Sequence, residues 1–408
     1  MDKSVVTLTF QPGHDLQMND YDIIIIGGGI QGVGCAQAAA AAGYSVCILE
    51  KDFWGAATSS HSSKLIHGGL RYLETYQFGL VRTSLHERRI LLKIAPHLVH
   101  PLPFYIPVYR NSRHPPWMIF SGLSLYSLLG EFEPLARFRS VPKTEWPQLD
   151  GLKTTGLKKV YQYWDTQTDD HLLTLTVVKS AEKLGAKLME YAVFLGARDN
   201  DDRYRISYTR QGKENEMSCR VLINAGGPWA AKLQEQIGGA PPAPPIELVQ
   251  GSHIELAGRI SESIFYLESP IDRRAMFIMP WHENTLVGTT ETAFSGDPAS
   301  ARASDEEIDY LLAAVKHYFP LYKCRVTDSF AGLRVLPKGR AGFSARPRDT
   351  IVQYDNLQHP RLVSLYGGKL TTYRGTAAKI IDRLGRTLGK RSGQLDTAEI
   401  FLSPADSA

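Results

Sequence analysis

Apolar residues along this chain fall first into an unbroken run at residues 21–26, YDIIII, the pattern of a strand covered on both faces of a parallel sheet. GGGIQGVG follows directly, and then an alanine-rich helical stretch, CAQAAAAAG, ends at Gly43, a C-capping glycine. A second strand, YSVCILE, completes a βαβ unit. The same alternation returns in a helical pattern at residues 172–184, a strand at 220–224 (RVLIN) and a helix opening at Pro228. PPAPP at 241–245 reads as a rigid crossing between domains, and GSHIEL and AMFIMPW after it read as antiparallel strands. From Asp328 the pattern returns to the first domain, where RLVSLY runs into a second glycine turn, GGKLTTY.

These patterns predict an α/β fold with a Rossmann-like first domain and a second, antiparallel-sheet domain. The expected division is an N-terminal tail (1–20), a dinucleotide domain (21–95, 151–235 and 328–390), a substrate domain (96–150 and 236–327) and a C-terminal tail (391–408). Residues 115–130, PPWMIFSGLSLYSLLG, are uncharged but fall short of the roughly 18 apolar residues of a membrane-spanning helix. They predict a buried helix, with a helix lying at a membrane interface as the alternative.

Composition narrows the picture only modestly. Hydrophobic content of 43% and charged content of 22% are those of a globular protein, and a net charge of +4 is too small to argue for nucleic acid. Cys35, Cys47, Cys219 and Cys324 form neither a CxxC pair nor a metal-ligand cluster, so no metal is expected and the thiols read as reduced. The first twenty residues lack the apolar stretch of a signal peptide, which points to the cytoplasm.

Candidate chemistry begins at Gly27, Gly29 and Gly32, a GxGxxG between strand and helix. The first glycine permits the turn, the second admits a pyrophosphate to the backbone, and the third allows close helix packing. Backbone N–H groups and the helix dipole then face the phosphates. Glu50 ends the second strand at the spacing of an acidic residue that binds ribose hydroxyls. Dinucleotide binding follows, without deciding between NAD and FAD.

ATSSHSSKLIHGGLRYLE (57–74), KIAPHLVHPLPFYIPV, PPWMIFSGLSLY, NAGGPW (224–229), QGSHIEL (250–256), PWHENTLVGTTE (280–291), AGLRVLP (331–337) and LYGGKLTTYR (365–374) extend the reading. Together they resemble, in order and over nearly the whole chain, the FAD-dependent glycerol-3-phosphate dehydrogenases, relatives of the D-amino-acid oxidase and glutathione reductase flavoproteins. The resemblance implies FAD, with Thr58, Ser59, Ser60, Ser63 and Lys64 lining pyrophosphate and flavin, and Ala225 and Gly226 closing over the nucleotide. Gly332, Gly367, Gly368, Lys369 and Leu370 would approach the isoalloxazine ring. No second GxGxxG supports a separate NAD(P)H site. The family carries a further C-terminal helical domain, so the chain reads as a short form, and Val335 stands where proline is common.

The resemblance also implies oxidation of glycerol 3-phosphate to dihydroxyacetone phosphate, with electrons passed to quinone. Such chemistry needs a C–H bond aimed at the flavin, a base for the hydroxyl proton and donors for the anionic end. Arg334 and Lys369 are assigned to the reacting oxygen and flavin edge, and Arg348 and Arg71 to the phosphate, arginine matching phosphate with a two-pronged fork. His67 is the candidate base, with His253 as a substitute and Tyr72 orienting the substrate. Thr289 and Thr290 read as strand residues with no chemistry, and Asp169 as an N-cap beside Asp170. A small anionic substrate, quinone or another acceptor, and contact with the inner face of the cytoplasmic membrane are the expected partners, with a homodimer left open. A flavin enzyme acting on a 2-hydroxy acid or amino acid, or a non-catalytic flavin-binding subunit, are the alternatives.

Overall fold

The computed structural model describes residues 19–392 and 394–404. The predicted tail at 1–18, Gly393 and residues 405–408 lie outside them. The strand foreseen at YDIIII is Asn19–Ile26, starting two residues inside the expected tail. It pairs in parallel with Val46–Leu49 on one side and Lys213–Asn224 on the other. Lys187–Met189 and Leu362–Tyr366 extend the layer, again in parallel. Ile23 and Ile25 face a helical layer, whereas Ile24 and Ile26 face the antiparallel pair Ala192–Asn200 and Arg203–Arg210. Both faces are thereby covered, which explains a run with no polar alternation.

Three helices, Ile30–Ala41, Asp170–Lys183 and Tyr373–Leu388, pack together on the first face. Alanine in Ile30–Ala41 lets the other two approach, and Gly43 takes φ +81° just past its end. Asp169 caps Asp170–Lys183 by accepting from Leu172 N at 2.9 Å.

Among the described residues the second sheet has ten strands, antiparallel except where Ile264–Glu268 pairs with His100–Tyr109. Ile246–Leu256 follows PPAPP and carries the chain across from the first sheet. Two boundaries differ from expectation. Leu157–Gln167 pairs with His100–Tyr109, and Val326–Pro337 pairs with Ile246–Leu256, so both belong to the second sheet. The pairing partner decides which sheet a strand joins, and the apolar pattern of a segment does not name that partner.

Pro116–Leu129 is a helix buried on one face only, at Leu123, Tyr126 and Ser127. Trp117, Met118, Phe120 and Leu128 are exposed, so the expectation of a buried helix fails on that side. The segment after residue 390 is no loose tail: Leu395 N donates to Ala41 O, Leu402 N donates to Ile94 O at 2.8 Å, and the Leu402 side chain is fully buried.

Candidate active site

At the C-terminal end of Asn19–Ile26 the chain turns through Gly27, whose φ of +103° is open to glycine. A Cβ on Gly27 would sit 2.5 Å from Ala225 O, and one on Gly32 would collide with the Gly27 carbonyl, so turn and helix close against each other. A Cβ on Gly29 would meet only Ser59 Oγ, at 3.1 Å, and Gly29, Ile30 and Gln31 line a cavity of about 300 Å³. This is a helix N-terminus open to a ligand, with Gln31 Oε1 buried and unpartnered beside it. Glu50 accepts Gly28 N at 2.6 Å and Asp52 N at 2.8 Å. Burial raises its pKa, and these two donors work against that rise.

Residues 57–64 form the next wall. Ser59 Oγ accepts Ile30 N at 2.9 Å, and Thr58 donates to Leu333 O at 2.9 Å, tying the loop to both glycine turn and second sheet. Ser60 turns back to Ala57 O, while Lys64 is spent on buried Asp170 at 2.5 Å and on Ser60 O at 2.6 Å. A Cβ on Gly332 would collide with the His61 carbonyl, which is why this strand position is glycine. Gly367 and Gly368 take φ of +73° and +102° and bring the chain back over the cavity at Lys369 and Leu370.

Cations converge on the opposite wall. Lys369 Nζ donates to Ser84 Oγ at 2.9 Å and lies 4.7 Å from the centre of the Tyr72 ring. Arg334 donates to Thr289 Oγ1 at 3.0 Å and Thr290 O at 3.3 Å, so both threonines are site neighbours. Arg348 donates to Glu291 at 2.6 Å, and Arg71 lies 3.6 Å from the same oxygen. Burial, with Arg348 nearby, lowers the Arg334 pKa to about 10, which leaves it charged at neutral pH. Burial alone would raise the Tyr72 phenol, but Lys369, Arg71, Arg348 and Arg334 together turn the shift downward, a sign that four positive groups share one small space.

Among the described residues three imidazoles line the same cavity, those of His61, His67 and His253. His67 has its pKa pushed well below 6.5, first by burial and then by Lys369 and Arg71, so its ring is neutral. His253 is likewise neutral through burial; its Nε2 meets Ser63 Oγ at 2.9 Å, and its Nδ1 has no partner. The loop that carries His67 rests on a buried network in which Tyr126 accepts Gly68 N at 3.0 Å and donates to Asp165 at 2.6 Å, while Arg88 pairs with Asp165 at 2.9 Å.

The cavity thus gathers His67, Arg71, Tyr72, His253, Arg334, Arg348 and Lys369 with Gly29, Thr58, Ser59, Ser63, Ala225, Gly332, Gly367, Gly368 and Leu370. Gly27, Gly32, Glu50, Ser60, Lys64 and Gly226 shape it from behind rather than line it. Sequence reasoning missed Glu291 and Ser84. Glu291 closes a motif that had been read for its threonines, and Ser84, in a plain helix, carries no motif at all. Among the described residues no cluster of His, Cys, Asp and Glu suits a metal ion.

A glycine turn at the C-terminal end of a central parallel strand, opening into a cavity walled by buried cations, fits a dinucleotide-dependent oxidoreductase. The chain belongs to the FAD-dependent oxidoreductase family, whose model matches residues 22–382. It is 36% identical over 391 residues to a glycerol-3-phosphate dehydrogenase of Synechocystis sp., covering 91% of this chain and 71% of that one. It is 35% identical over 379 residues to the D-erythritol 1-phosphate dehydrogenase of Brucella abortus, covering 91% and 75%. The glycerol-3-phosphate dehydrogenase of Bacillus halodurans, solved in complex with FAD, superposes with a TM-score of 0.68 at 26% identity over 95% of this chain and 68% of that one. The backbone cradle at Gly29 and the space between the two glycine turns fit FAD.

Proposed function

We propose that the protein oxidises glycerol 3-phosphate to dihydroxyacetone phosphate and passes the electrons to a quinone. The observation that carries this reading is the convergence of Lys369, Arg71, Arg348 and Arg334 around Tyr72, more positive charge than a carboxylate substrate needs and suited to a phosphate dianion. The named relatives, one acting on a three-carbon and one on a four-carbon alcohol phosphate, support the same substrate class.

Bound FAD supplies the hydride acceptor. Gly29, Ile30 and the loop at 57–63 would hold its pyrophosphate, and Ala225, Gly332 and residues 367–370 would hold the ring end. Arg348 and Arg71 take the phosphate, which fixes the alcohol carbon against the flavin. Arg334 and Lys369 stabilise negative charge that develops on the reacting oxygen, their donors already oriented by Thr289, Thr290 and Ser84. His67, neutral in its buried setting, accepts the hydroxyl proton. Glu50, which holds the turn through Gly28 N, would support the ribose from behind it.

The exposed apolar face of Pro116–Leu129, with Trp117 65% and Phe120 52% accessible, supports shallow insertion into a membrane where quinone resides. No helix among the described residues is long and apolar enough to cross one.

Steady-state assays of the purified holoprotein with a dye acceptor test the substrate class. Turnover with glycerol 3-phosphate, weaker turnover with longer alcohol phosphates and none with lactate or amino acids is the expected order. Preferential turnover of a hydroxy acid would overturn it, and an oxidised flavin with every donor would point instead to a non-catalytic subunit.

A further inference from the structure

Glu291 is a carboxylate in contact with the cationic cluster described above. Its side chain is 4% exposed, and its Oε1 lies 2.6 Å from Arg348 and 3.6 Å from Arg71. Lys369 and Arg334 direct donors at Ser84, Thr289 and Thr290. Arg348 differs, because its Nε and one terminal nitrogen are buried with no partner. An anion held at the Arg348 wall of the cavity must share the guanidinium with a carboxylate already seated on it. Like charges only a few ångströms apart, in a space sheltered from water, repel strongly.

We propose that Glu291 is a resident counter-ion of the substrate site, which holds the affinity of Arg348 and Arg71 for free phosphate below the level these two cations would reach unopposed. The inference rests on the alcohol-phosphate reading of the site. Inorganic phosphate, which makes only the contacts of the distal end, then binds weakly. An alcohol phosphate is retained because its hydroxyl end adds contacts with Arg334 and Lys369. Without this carboxylate, phosphate and the phosphorylated product would both hold the cavity closed to the next substrate. Glu291 also fixes the Arg348 fork before the substrate arrives, and Glu291→Gln keeps an oxygen in place to do so while removing the charge.

The test is titration of holoprotein with inorganic phosphate, read calorimetrically and by perturbation of the flavin spectrum. Wild type, Glu291→Gln and Glu291→Asp are compared. Glu291→Gln is expected to bind phosphate on the order of tenfold more tightly or better, and its KM for glycerol 3-phosphate to fall with it. Glu291→Asp, which restores the charge, is expected to return toward wild type. Unchanged or weaker phosphate binding in Glu291→Gln would overturn the proposal; should that variant fail to fold, Glu291→Ser carries the same comparison. Tighter phosphate binding without any oxidation of glycerol 3-phosphate would refute the substrate reading alone. Oxidation with no gain in phosphate affinity would refute this inference alone.

Discussion

Arg334 shows how a single residue combines position and charge. It sits mid-strand in Val326–Pro337, opposite Val249, buried enough to have its pKa lowered, yet held by Thr289 and Thr290. Removing a preoriented charged donor of this kind costs catalysis rather than folding, so Arg334→Ala is expected to lower turnover roughly 10²-fold or more with FAD still bound. Comparing kcat with the flavin content of the purified variant checks this. His253 offers a test of stability instead. Its folded pKa is well below 6.5, so as pH falls through 6.5 the unfolded chain takes up a proton that the fold refuses, and stability is lost toward acid. The loss is about 1.4 kcal/mol per pH unit from this group. Thermal melts of His253→Gln between neutral and acid pH are expected to show a shallower decline than wild type. The residues of the cavity wall were legible where a motif carried them, as in HGGLRY and GGKLTTY. Ser84 was not, because its role depends on a contact with Lys369 across 285 positions of sequence.

At the scale of elements, two glycine turns and one surface helix make the claims that can be tested. Gly29 lies where a ligand's phosphates would approach the backbone, so Gly29→Val is expected to abolish FAD retention while leaving a folded apoprotein. Absorbance of the purified variant, with circular dichroism as the folding control, decides it. The helix Pro116–Leu129 presents Trp117 and Phe120 outward, and Phe120→Asp is expected to weaken binding to anionic vesicles without slowing turnover with a soluble dye. Co-sedimentation with vesicles and a parallel dye assay separate the two effects. The βαβ unit was readable because both its faces are buried and its turn residues are sterically specified. Leu157–Gln167 and Val326–Pro337 fall outside the expected layer because position along the chain does not name a strand's pairing partner. Residues 394–404 read as a tail because one fully buried side chain, Leu402, leaves no periodic trace.

For the molecule as a whole, two sheets enclose one cavity and divide its labour. The first sheet ends in the glycine turn that opens onto the cavity, and the second supplies His253 and Arg334. Lys369 and Arg348 come from the chain's return between them, as does the Leu362–Tyr366 strand of the first sheet. Separating the layers would therefore leave neither half with a complete site. The whole arrangement stands or falls on hydride leaving an alcohol phosphate for a flavin set against these cations. Anaerobic mixing of the holoprotein with glycerol 3-phosphate, unlabelled and deuterated at the secondary carbon, measures that step. Rapid bleaching of the oxidised-flavin band, slowed by the deuterium and nearly lost in Arg334→Ala, is the expected result; a band that stays unchanged, or bleaches equally fast in the Arg334 variant, would contradict it.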